Sequence, residues 1–264
     1  MNLQLQGKTA LVTGSTAGIG YAIAKLLAAE GASVIITGRT QERIDQAIAA
    51  IQQDHAAATL SGVPVDFSQT AQVQALLQQV PDVDILVNNV GIFEPKPFAE
   101  IPDEDWLRFF EMNVMSGIRL SRHYFPKMLA QNWGRIIFIS SESAIHIPEE
   151  MIHYGMTKTA QLAVSRGLAE LTKGTRVTVN TVLPGPTKSE GVTEFLNQLS
   201  QQQQKSKAEV EEEFFNTARP TSLIRRFAHV DEVANLVAYV ASPLSSATNG
   251  AALRADGGLV KSII

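Results

Sequence analysis

Thr13-Gly14-Ser15-Thr16-Ala17-Gly18-Ile19-Gly20 closes an apolar run that begins at Thr9 and opens a stretch with helical spacing, Ile19 to Ala29. Each glycine has a separate use. Gly14 permits a sharp turn, Gly18 lets a ligand approach the main chain, and Gly20 lets helix and strand pack closely. A helix starting here presents free N–H groups and a partial positive charge, which suits the pyrophosphate of a dinucleotide. The spacing is G-x3-G-x-G. Ser15, Thr16 and Ile19 belong to the same expected phosphate cradle.

Outward from this turn, short β-branched runs alternate with helical stretches. Ser33–Thr37, Thr59–Val65, Asp84–Val87, Arg135–Ser140, Arg176–Val182 and Ala251–Ala255 follow the first strand. Strand–helix alternation of this kind predicts βαβ units and a doubly wound parallel sheet of about seven strands, with helices on both faces. The whole of 1–264 reads as a single Rossmann-type α/β domain without a linker. The segment from Asn197 to Phe215 differs: it is Gln-rich, then acidic. It reads as a solvated helix pair and, within a region of about 186–226, as a lid over a pocket.

Composition narrows the function. With no cysteine, thiolate chemistry, disulfides and cysteine-ligated metal are excluded, and no metal is implied. A net charge of −4 lacks the basic footprint of a nucleic-acid binder. No apolar run reaches the ~18 residues of a membrane span, and the N-terminus lacks a secretory pattern. A cytoplasmic protein with no nucleic-acid or membrane partner is expected.

The end of the second strand, Thr37-Gly38-Arg39, bears on cofactor choice. NAD sites place an acid there to accept from the ribose 2′-hydroxyl. Gly38 takes that place, and Arg39 can pair with a 2′-phosphate. NADP(H) is therefore expected, with NAD(H) as the alternative. Asp66, followed by Phe67, reads either as a partner for the adenine edge or as an acid at a helix N-terminus.

Tyr154 and Lys158 stand four apart in a helical stretch, Ile152 to Leu171, and so share one face. A phenol with a pKa of roughly 10 is a poor base at neutral pH. A lysine cation about 4 Å away in a partly buried site is worth on the order of 4 kcal/mol. The expectation is that Lys158 brings Tyr154 towards neutrality as the acid/base and also binds the cofactor ribose. Ser141, at a strand end, can polarise a substrate oxygen. Asn113, a poor helix former inside Asp103 to Tyr124, can loosen the local ladder and hold a relay water.

These residues together resemble the short-chain dehydrogenase/reductase (SDR) family along nearly the whole chain. The family's T-G-x3-G-x-G turn matches Thr13 to Gly20, and its N-N-A-G segment matches Asn88-Asn89-Val90-Gly91. Asn113, Ser141 and the Y-x3-K pair Tyr154/Lys158 follow in order. Asn180 to Gly185 matches N-x-x-x-P-G, and Asp256-Gly257-Gly258 matches a terminal D-G-G. The resemblance implies an oxidoreductase that moves a hydride between NADP(H) and a small-molecule carbonyl or secondary alcohol. Asn113, Ser141, Tyr154 and Lys158 would be its catalytic set. Asn89, Gly91, Pro184, Gly185, Thr187 and Ser189 would join the cofactor site, with Thr187 and Ser189 near the nicotinamide carboxamide. It also implies a homo-oligomer, a homotetramer or dimer, built on the long catalytic helix and the last strand. Val90, Met156, Thr157 and Pro186 depart from the family pattern.

A non-catalytic NAD(P)-binding sensor is the rival on the same fold, although all four catalytic positions are intact. Enoyl reductases space tyrosine and lysine further apart, and Gln161 stands seven residues after Tyr154. The pocket is expected to be lined by Glu142, His146, Ile147, Met151, His153 and the lid. Its mixture of residue types does not name a substrate. A 3-oxoacyl-type or general carbonyl reductase is favoured only because such members are numerous.

Overall fold

A computed structural model describes residues 2–263. Seven parallel strands form one sheet in the order β3-β2-β1-β4-β5-β6-β7. They are β1 Thr9–Val12, β2 Ser33–Gly38, β3 Leu60–Pro64, β4 Ile85–Asn88, β5 Gly134–Ile139, β6 Val177–Pro184 and β7 Ala252–Ala255. Every residue of β4, β5 and β6 is buried, as a sheet covered on both faces requires. The strand order reverses between β1 and β4, which opens a crevice at their carboxyl ends. Open α/β sheets bind ligands at such a reversal.

On one face lie α1 (Gly18–Ala29), α2 (Gln41–Asp54) and α9 (Val230–Ala241), whose Ile23, Ile44 and Val237 are fully buried against the sheet. On the other lie α3 (Thr70–Gln79), α5 (Ser116–Ala130) and α6 (Ile152–Glu170), which contribute Val73, Leu120 and Ala169. Each such aliphatic side chain contributes roughly 1.5–3 kcal/mol by leaving water. Arg135 breaks the apolar pattern of β5. Its guanidinium donates to the carbonyls of Ser242, Gly134 and Arg176 and lies over Trp133. Burial brings its pKa down to about 10.

The stretch expected as one helix from Asp103 is interrupted. α4 (Asp103–Phe110) passes through a π-helical turn, Glu111–Met115, before α5 begins. Asn113 sits in that turn. Beyond β6, α7 (Glu190–Gln203) and α8 (Lys207–Thr217) form the expected helix pair. It is more than a solvated flap, because Leu196, Val210, Phe215 and Phe227 give it a small core of its own. Among the described residues, no helix is long and apolar enough to cross a membrane.

The turn that sets this architecture leaves no room for a side chain at Gly20. A Cβ there would lie 2.3 Å from the Gly14 carbonyl oxygen and 2.5 Å from Asn89 Nδ2. Backbone cannot yield as a flexible side chain would. Gly20→Ala is expected to destabilise by about 1–3 kcal/mol, a fall in Tm of roughly 2–12 °C for a chain of this size. A thermal melt checks this.

Candidate active site

Thr13 fastens the glycine turn to the neighbouring loop. Its Oγ1 donates to the Val87 carbonyl and accepts from the main-chain N–H groups of Asn89 and Val90. Asn89 returns the contact, donating through Nδ2 to the carbonyls of Thr13 and Gly14. Ser15, fully buried, donates to Val12 and accepts from the Thr37 N–H, so it joins β1 to β2. The side chains of Asn89 and Ser15 therefore shape the turn, Ser15 fully buried and Asn89 half-buried. The start of α1 does stand open: its N-cap, Ala17, supplies no side-chain cap, and its first turn holds no acid.

At the end of β2, a Cβ on Gly38 would lie 2.5 Å from Thr16 Cγ2. A carboxylate-bearing residue could not stand there without displacing Thr16. Arg39 is exposed beside this point, and its charge reaches Asp66. Asp66 Oδ1 accepts from both the N–H and the hydroxyl of Ser68, and these bonds hold its carboxyl below the usual range. It is a turn acid just ahead of α3. Phe67 is buried in the core beneath, so its side chain is not presented to the crevice.

Asn113 is fully buried. Its Oδ1 accepts from the Ile92 N–H at 2.7 Å, and its Nδ2 donates to the Ile92 carbonyl and to Thr157 Oγ1. Thr157 in turn donates to the Tyr154 carbonyl at 2.7 Å. The main-chain carbonyl of Asn113, at the π-turn, accepts from Gln161 Nε2. Sequence reasoning placed a relay water at Asn113. The structure shows the loosened ladder, with the Asn113 carbonyl accepting from Gln161 through one of its two lone pairs, and the Asn113 side-chain amide works as a clamp. Thr157 and Gln161 were missed as parts of this cluster. Helical spacing puts 154, 157, 158 and 161 on one face, and that was the available signal.

Lys158 is buried on the same face, and its Nζ donates to the Ile139 carbonyl at 3.0 Å. Burial brings its pKa down to about 8, against the opposing charge of Glu142. A Cβ on Gly91 would come within 3.3 Å of the Lys158 Nζ, so the loop after β4 passes directly over the ammonium. Burial pushes the Tyr154 phenol well above its ordinary value. Glu142 adds to the shift, while a hydrogen bond with Ser141 and the charge of Arg219 oppose it. The Lys158 ammonium is turned to the Ile139 carbonyl and lies 5.6 Å from the Tyr154 ring centre.

Ser141 lies at the carboxyl end of β5. It donates to Glu142 and accepts from the Ser143 N–H. The site opens into a cavity of 670 Å³. Ser141 and Tyr154 line it together with Ile19, Pro184, Gly185, Thr187 and Ser189, and with Val192, Val210 and Phe214 of the helix pair. Glu142 and Met151 line it as expected. His153 does not: it is fully buried between Phe109 and Trp106, and burial lowers its pKa. His146 and Ile147 are exposed and lie off the cavity wall. Each expected site residue is thus placed, with the side chains of Ser15 and Phe67 buried and that of Asn89 bracing the glycine turn.

The sequence profile described as short chain dehydrogenase matches residues 8–200. The chain belongs to the short-chain dehydrogenase family. This dehydrogenase is 54% identical to the uncharacterized oxidoreductase YvaG of Bacillus subtilis, over the full length of both chains. It is 32% identical to the 3-oxoacyl-[acyl-carrier-protein] reductase FabG of Aquifex aeolicus, covering 98% of this chain and 100% of that protein. The crystal structure of L-sorbose reductase from Gluconobacter frateurii, complexed with NADPH and L-sorbose, superposes with a TM-score of 0.93. It is 29% identical, and the match covers all of both chains. The chain is accordingly an oxidoreductase of the alcohol/carbonyl class with a nicotinamide cofactor.

In this dehydrogenase Thr157 carries the link from Asn113 to the catalytic helix. Thr157→Val removes one buried donor and strands the Asn113 amide, a loss of about 1–3 kcal/mol. Thr157→Ser keeps the hydroxyl. Thermal melts and steady-state rates are expected to show the valine variant impaired and the serine variant close to wild type.

Proposed function

We propose that the chain is an NADP(H)-dependent carbonyl reductase in which Tyr154 is the proton donor. The observation that carries this reading is the half-buried Tyr154 on the cavity wall with Ser141, and the buried Lys158 one helical turn along α6. A phenol whose pKa is raised holds its proton throughout the neutral range and so stands ready as the proton donor to a carbonyl oxygen.

The residues fit the cofactor. The uncapped start of α1 and Gly14 at φ +61° and Gly18 at φ +59° leave main-chain donors and close approach for the pyrophosphate. Arg39, with no room for an acid at Gly38, favours a 2′-phosphate. The structure with NADPH and L-sorbose supports the same choice by likeness. Thr187 and Ser189, on the cavity wall, are suited to the carboxamide, and Lys158 has ammonium protons beyond the one given to Ile139 for ribose hydroxyls. When bound, NADPH supplies the hydride. Tyr154 gives up its phenolic proton to the carbonyl oxygen, Ser141 orients that oxygen, and Asn113 fixes the loop and helix that carry these groups. The helix pair, with its own core over the cavity, serves as a lid that excludes water. We also expect a homo-oligomer, in which the exposed Leu107, Phe110 and Leu171 would find cover.

Tyr154→Phe is expected to keep NADPH affinity and lose at least ~100-fold in turnover. Wild-type activity in that variant contradicts the assignment. The wild-type reduction rate is expected to stay level below about pH 8 and decline as Lys158 loses its charge above it. A profile that rises through this range contradicts the lysine's role.

A further inference from the structure

Glu142 and Arg219 form an unusual feature of this catalytic cavity. Glu142 is 5% exposed and Arg219 is 7% exposed, yet both line the cavity within reach of the reacting groups. They come from different parts of the chain. Glu142 follows Ser141 in the turn after β5, and Arg219 follows the lid helix α8. Their partners are unequal. Glu142 Oε2 accepts the Ser141 proton. Arg219 Nη1 donates to Glu150 at 3.0 Å and to the Ala218 carbonyl at 2.8 Å. Between Arg219 Nε and Glu142 Oε1 there remains 3.6 Å, longer than a hydrogen bond.

Arg219 and Glu142 thus form a loose ion pair in the wall of the cavity, with one donor and one acceptor not yet joined by a hydrogen bond. A hydroxyl group matches that pair, since it accepts from the Nε–H and donates to Oε1. The two oxygens of the Glu142 carboxylate tie this position to Ser141, where the reacting carbonyl oxygen is placed. Resting on the carbonyl-reductase reading above, we propose that the substrate is a neutral α-hydroxy ketone of the ketose type. Its carbonyl oxygen lies at Ser141 and Tyr154, and its neighbouring hydroxyl bridges Glu142 and Arg219.

Ser141 has a single proton, and in this structure Glu142 holds it. A hydroxyl donating to Oε1 shares the carboxylate's charge with Ser141 at Oε2, which weakens its hold on the Ser141 proton and makes that proton easier to offer to the carbonyl oxygen. A plain ketone brings no such donor. It leaves the carboxylate holding Ser141 and the Glu142–Arg219 ion pair without a bridging hydrogen bond. Hydrogen bonds to charged groups contribute ~1.5–3 kcal/mol, a discrimination of about 10- to 100-fold. The surrounding charge selects against acids. Glu149, Glu150 and Glu213 line the same cavity, and Arg219 is its one basic lining residue. A keto acid would bring its carboxylate into that field. This reading displaces the 3-oxoacyl preference, which rested only on the abundance of such enzymes.

Hydroxyacetone and butanone are nearly the same size and differ in the one hydroxyl. The test is kcat/KM for each with saturating NADPH, in the wild-type chain and in Glu142→Leu and Glu142→Gln. The expected wild-type ratio favours hydroxyacetone by at least ~10-fold. In Glu142→Leu the ratio should fall to near one, chiefly by loss on hydroxyacetone, and Glu142→Gln should fall between the two. The glutamine variant, matched in shape, gives the answer if the leucine variant does not fold. Turnover of both ketones with a ratio near one, or a ratio unchanged in the variants, overturns the substrate class and leaves the reductase reading intact. If NADPH binds but neither ketone is reduced, both the substrate class and the reductase reading fail.

Discussion

The side-chain amide of Asn113 joins the two halves of the site. It accepts from Ile92 in the loop after β4 and donates to Thr157 on α6. That loop is already fastened to the glycine turn, because Thr13 receives Asn89 and Val90, and Asn89 spans the Thr13 and Gly14 carbonyls. The result is a continuous polar chain from the phosphate-binding turn to the backbone of Tyr154. Each link contributes only about 1 kcal/mol net, but breaking one strands a buried group at a larger penalty. The π-turn at Glu111–Met115 is what brings Asn113 to this position. It alters the ladder locally so that the Asn113 carbonyl meets Gln161.

Desolvation governs the chemistry of the polar groups placed by this chain. It lowers Lys158 to about 8 and raises Tyr154, in each case penalising the charged form. The outcome is a phenol that retains its proton beside a lysine that is readily discharged. Glu142 works with burial at the phenol and against it at the lysine. A single carboxylate thus bears on the acid, on its lysine neighbour and on Ser141. Such a residue suits a site whose reactivity depends on what the substrate offers it.

Much of this was legible in the residues. The period-two and helical runs located all seven strands to within a few positions. The turn from Thr13 to Gly20 fixed where the sheet's crevice would lie, because only glycine fits its backbone and the helix start follows at once. Other features depend on contacts between distant segments. Asn89 and Ser15 read as cofactor residues, and their side chains also hold main-chain groups, Asn89 those of the turn after β1 and Ser15 those of β1 and β2. His153 read as a pocket residue beside Tyr154, but the helix turns successive residues by about 100°, and it faces Phe109 instead. The direction of Lys158 was not legible either, because spacing gives a shared face without giving the path of a long side chain, whose ammonium meets the Ile139 carbonyl. Arg219 was invisible, since nothing in a Gln-rich and acidic segment signals that the residue after it will meet Glu142.

The central claim is that the turn from Thr13 to Gly20, flanked by Gly38 and Arg39, receives a 2′-phosphorylated nicotinamide dinucleotide at the head of this polar chain. Fluorescence titration of the purified protein with NADPH and, separately, with NADH tests it most directly. The account predicts saturable NADPH binding at least ~10-fold tighter than NADH, the least expected of one charge-assisted contact to the phosphate. Equal affinity for the two would remove Arg39 from the cofactor site, and binding of neither would contradict the claim as a whole.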